Sequence, residues 1–117
     1  NLRVPEYKEK VGQIEVYWME RFAKFIRRMR DTQDVDGSRL IDNVMMLYGS
    51  AISDGNRHKH DNCPAILVGG GGGTLRPGRV TDAGGIPMSN MYVSMLEKHG
   101  VQGVTQFGDS NGKYDNI

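Results

Sequence analysis

The sequence predicts a small α/β domain in which a short, mainly parallel sheet is flanked by one long N-terminal helix and one C-terminal helix. Three observations point there: an apolar stripe of helical period before Asp31, two short aliphatic runs at residues 44–48 and 65–68, and a second amphipathic stretch at residues 87–99. Runs of that length, rich in aliphatic side chains, suit strands covered on both faces. All 117 residues fit one domain, of which residues 108–117 read as a mobile polar tail.

In chain order, Val4-Pro5-Glu6 opens the first helix, because proline lacks only a backbone N–H that a first turn leaves unpaired anyway. Tyr7, Val11, Ile14, Trp18, Phe22, Phe25 and Met29 follow at spacings of four, three, four, four, three and four, which is one face of a helix over about residues 6–30. Tyr17 and Ile26 widen that stripe, while Lys8, Lys10, Glu15, Glu20, Lys24 and Arg28 lie off it. Such a stripe covers one face of a sheet, and its near-heptad seam also suits pairing with a second chain.

Residues 31–38 form a polar turn, in which Asp34, Asp36 and Gly37 lack the remaining ligands of a calcium loop. Ser38 is placed to cap a short helix through Ile41, ahead of the first strand. Five consecutive glycines, Gly69 to Gly73, follow the second strand. Their N–H groups could face an anion, but no Gly-Lys-Ser/Thr comes after them, so they read as a flexible surface loop. In the second helix Met88, Met91, Tyr92, Met95 and Leu96 are expected to face inward, with Gly100 as the stop.

Composition excludes several classes of function. Fifteen Lys+Arg against 14 Asp+Glu give a formal charge of +1, so there is no electrostatic footprint for nucleic acid. No apolar run approaches a membrane span and no signal peptide is visible, which leaves the compartment open. The lone Cys63 precludes an intrachain disulfide.

Chemistry concentrates in the loop at residues 49–64. Asp54, His58, His60, Asp61 and Cys63 fall within ten residues of one another, and zinc needs three or four such donors. His58 and His60 share a side on an extended segment, with Asp54 able to fold back toward them. Asp61 suits holding a histidine tautomer, and Cys63, next to Pro64, reads as a small buried hydrophobe. The spacing matches no zinc-finger or HExxH pattern, and an ordinary polar loop remains the other reading.

The stretch Leu40-Ile41-Asp42-Asn43-Val44-Met45-Met46-Leu47-Tyr48-Gly49-Ser50-Ala51-Ile52-Ser53-Asp54-Gly55-Asn56-Arg57-His58-Lys59-His60-Asp61, with Pro64 to Gly69 and the glycine run, resembles the C-terminal part of a bacterial domain-of-unknown-function family. Tyr92 to Leu96 and Phe107-Gly108-Asp109-Ser110 extend the likeness over nearly the whole chain. That family is similar in turn to the alkaline phosphatase and sulfatase superfamily, where a strand ends in a Ser-Asp-His-Gly-like turn whose Asp and His bind a catalytic metal.

The resemblance implies that this chain is a fragment of an alkaline phosphatase-like fold, in keeping with its first residue being Asn1. It implies a metal role for Asp54, preceded by Ser53, while Gly55 stands where the superfamily has histidine, so His58 or His60 would replace that ligand. The superfamily's nucleophile has no counterpart here. The expected function is therefore a metal-dependent hydrolase of small phosphate- or sulfate-type esters, with Asp54, His58 and His60 on a zinc-like ion and Arg57, Lys59 and Asp61 assisting catalysis. The alternative is a non-catalytic metal-binding or interaction module, the C-terminal half of a larger protein. Either way, the stripe through Trp18, Phe22 and Phe25 is expected to make the chain a homo-oligomer.

Overall fold

The computed structural model describes residues 4–117. Its first element is α1, Pro5–Arg30, entered through Val4 in extended conformation with Pro5 in the first turn. Arg27, Arg28 and Arg30 in its last turn complement the negative end of the helix dipole. Not one residue of this helix is buried. Among the described residues only its last turns meet the rest of the chain: Phe22 stacks on Tyr48 with ring centroids 4.3 Å apart, and Phe22, Ala23, Ile26 and Met29 are half-covered. The earlier turns project, leaving Ile14 56% and Trp18 57% exposed. The expected cover of a sheet face by this helix is thus confined to its C-terminal end.

The turn after α1 is knitted by its own acids. Asp36 accepts from the N–H and hydroxyl of Ser38, which holds its carboxyl below the usual range. Asn43 Nδ2 donates to Asp34 and to Ser38 Oγ, tying the turn to α2, Leu40–Asn43. Ser38 therefore binds Asn43 rather than capping; Arg39 holds the N-cap position, with no side-chain bond there, and its guanidinium pairs with Asp42.

The sheet departs from the sequence expectation. It has two strands, β1 (Met46–Gly49) and β2 (Ala65–Val68), and they run antiparallel with Met46 opposite Val68 and Gly49 opposite Ala65. A mainly parallel sheet, and with it a fragment of an alkaline phosphatase-like sheet, is not what forms. A parallel return needs a crossover that carries the chain back the length of the strand, usually as a helix. Residues 50–64 hold no helix and instead double back on themselves. Nor are the strands covered on two faces: β1 is half-buried and the start of β2 is exposed.

The glycine run is not a free loop. Gly70 N–H donates to Ile41 O at 3.0 Å, Gly71 N–H to Val44 O at 2.9 Å and Leu75 N–H to Gly70 O at 3.2 Å, while Gly71–Gly73 make a 3₁₀ turn. With the Gly70 and Gly71 N–H groups bonded to Ile41 and Val44, the run clamps α2 to the end of β2.

The third helix, α3, covers Ser89–Lys98. Its buried face is Ser89, Asn90, Val93 and Ser94, whereas Met88, Met91, Tyr92, Met95 and Leu96, expected to face inward, are half-buried. Polar burial is supported because the C-terminal segment lies along this face and answers each group. Asn90 bonds both the N–H and the side chain of Asn111, Ser94 Oγ accepts from Tyr114 N–H, and Ser89 Oγ donates to Asp109 at 2.5 Å. Residues 108–117, read from sequence as a mobile polar tail, are held there, and among the described residues Ile117 is one of three buried apolar side chains, with Leu75 and Val93. The radius of gyration is 16.7 Å, against about 13 Å for a compact domain of this length; α1 accounts for the excess by standing clear of the rest.

Candidate functional site

The loop between β1 and β2 has its own internal fold. Ser53 N–H donates to Lys59 O at 2.9 Å and Lys59 N–H to Asp54 O at 3.2 Å, closing residues 53–59 into a small antiparallel turn. Inside it, Asp54 Oδ1 accepts from the N–H groups of Asn56 (2.9 Å) and Arg57 (3.2 Å), the local bonding that short acidic side chains make in turns. His58 sits at the tip with φ of 54°, a left-handed conformation reached there without glycine.

His60 lies outside this small turn and folds the other way. Its Nδ1 is 2.8 Å from the carbonyl oxygen of Ala51. A carbonyl only accepts, so Nδ1 carries the proton and Nε2 is the ring nitrogen left to accept a proton or bind a ligand. Cys63 Sγ rests 3.4 Å from His60 O, half-buried as a small hydrophobe would be.

The remaining charged groups pair loosely at the surface. Arg57 Nε is 3.8 Å from Asp54 and Lys59 Nζ is 3.8 Å from Asp61, with all but Asp54 well exposed. At such exposure each pair contributes on the order of 0–1 kcal/mol.

The donors named by the sequence are therefore close along the chain but not gathered in space. Asp54 turns into its own loop, His58 points from the tip and His60 turns back to Ala51. Among the described residues, no three His, Cys, Asp or Glu side chains are placed to share a metal ion. As arranged, Asp54, His58 and His60 do not converge on one point: Asp54 Oδ1 accepts from the Asn56 and Arg57 amides, and His60 Nδ1 faces the Ala51 carbonyl.

His60 also lines an open cleft of ≈ 1660 Å³ that reaches Arg79, Ser89 and Asp109. Ligand pockets are about 300–1,000 Å³ and enclosing; this space is wider, and its Arg79 is already committed to Asn116 and Asp109 to Ser89.

Two features escaped the sequence reading. One is the polar seam of Ser89, Asn90 and Ser94, whose signal is their helical spacing together with an Asp- and Asn-rich segment after Phe107. The other is how completely the first four turns of α1 stand free. Comparison with protein-family models, with curated proteins and with solved structures finds no match to the chain. No helix among the described residues is long and apolar enough to cross a membrane.

Proposed function

We propose that this chain is a non-catalytic interaction module that associates with a second copy of itself through α1. The observation that carries this reading is the unburied apolar stripe of Tyr7, Val11, Ile14 and Trp18 on a helix with no buried residue. Contiguous exposed apolar surface of that kind marks contact sites, because water contact with it is unfavourable by about 25 cal/mol per Å². Light scattering is expected to return an oligomer mass for the native chain, and Ile14→Asp to return a monomer with unchanged folding of the remainder, since Ile14 is 56% exposed and precedes the Phe22 contact. A monomer mass for the native chain at high concentration would refute the reading.

A second reading, the metal-dependent hydrolase of phosphate- or sulfate-type esters, is favoured by His60, whose Nε2 is left free by the Ala51 contact. In it His60 is the group that meets a zinc-like ion or an anionic ester, with Arg57 and Lys59 near the developing charge. His60→Ala should then remove bound zinc, measured by elemental analysis, while His99→Ala, at the far end of α3, should not. Equal zinc content in the two variants would dispose of it.

A further inference from the structure

Resting on the self-association proposed above, we infer that the two copies pair their first helices antiparallel, with Tyr7 against the partner's Trp18 and Val11 against the partner's Ile14. The free part of the stripe sets this register. Phe22 is stacked on Tyr48, so the uninterrupted part of the seam runs from Tyr7 to Trp18, and Phe25, half exposed, lies apart from it beyond the stack. Its spacings of four, three and four stay close to 3.6 residues per turn, so the stripe keeps to one face. An antiparallel pair centred between Gly12 and Gln13 matches every one of these side chains with an apolar partner.

Charge selects the same direction. Lys8 and Glu15 border one side of the stripe, and Glu6, Lys10, Tyr17 and Arg21 the other. Antiparallel helices bring each border against the same border of the partner. Lys8 then meets the partner's Glu15, twice by symmetry, and Glu6 meets the partner's Arg21, with no like charges opposed. A parallel pair would instead lay Arg21, Lys24, Arg27, Arg28 and Arg30 beside their own copies and crowd both bodies at one end. In the antiparallel arrangement the bodies sit at opposite ends.

A zero-length carbodiimide joins an amine to a carboxylate only when they touch. Lys8 and Glu15 of one helix are two turns, about 10 Å, apart, so their cross-link forms only between copies. Applied to an equal mixture of isotopically light and heavy protein, it is expected to give mixed Lys8–Glu15 peptides. Lys8→Glu should weaken dimerisation roughly tenfold, and Lys8→Glu/Glu15→Lys should restore it. A dimer that yields Lys10–Glu15 peptides instead, or one that the double variant fails to restore, would overturn the antiparallel register while leaving self-association standing. A monomer would overturn both.

Discussion

Gly69→Ala is expected to destabilise the fold by about 3 kcal/mol, read as a fall in the midpoint of denaturant unfolding at constant slope. Gly69 has φ of 107°, which an L side chain rarely adopts, and a Cβ there would overlap the backbone carbonyl of Val44. Backbone cannot move aside as a flexible side chain can. The neighbouring Gly70 is hemmed in by the Asp42 carbonyl in the same way, and both sit where the glycine run is hydrogen-bonded to Ile41 and Val44. Gly72 is the internal control: nothing lies within 4 Å of its added Cβ. Gly72→Ala then meets only the cost of its positive φ, about 1 kcal/mol. Equal losses at Gly69 and Gly72 would mean that the run does not clamp α2. A domain is stable by about 5–15 kcal/mol in all, and one with three buried apolar side chains among the described residues belongs at the low end.

The second large effect is expected at Asn90, which is 3% exposed and ties α3 to the C-terminal segment. Asn90→Ala removes the acceptor of Asn111 N–H (3.0 Å) and the donor to Asn111 Oδ1 (2.9 Å) together. Loss of a buried, doubly bonded amide costs about 2 kcal/mol, or roughly a thirtyfold faster hydrogen exchange of the Asn111 amide. The backbone bond from Tyr114 N–H to Asn90 O survives the substitution. Exchange at Tyr114 should therefore quicken less than at Asn111, and the reverse order would refute the role given to the side chain.

Most elements were legible in the sequence because each rests on a local pattern. Proline at the start and helical spacing through Met29 mark α1, and the aliphatic run Ala65–Val68 marks β2 to the residue. The relation between the strands was not legible. Direction depends on what residues 50–64 do, and the bonds of Ser53 and Asp54 that turn that loop back are made by side chains and amides no periodicity reports. The glycine run misled for a related reason: flexibility was inferred from composition, whereas the run is needed for close approach of two backbones at Gly69 and Gly70. The inner face of α3 misled because Met and Leu are the default core, while its actual cover is a polar segment that only Asn and Ser could answer. In the candidate site, sequence proximity of Asp54, His58 and His60 said nothing of side-chain direction, which is set by an Asx-type turn at one and a carbonyl contact at another.

The stacking of Phe22 on Tyr48 divides α1 into two thermodynamic regimes. Beyond it toward Arg30, opening the helix means parting aromatic rings and uncovering Ile26 and Met29, so amides there are protected by the stability of the body. Before it, each turn is held only by its own hydrogen bonds and by local pairs such as Glu6 with Lys10. An isolated helix of about four turns is marginal in water. Protection in the free monomer therefore decays toward Val4 as a fraying gradient, and the helix end that meets a partner is the part whose order depends most on how much of that partner is present.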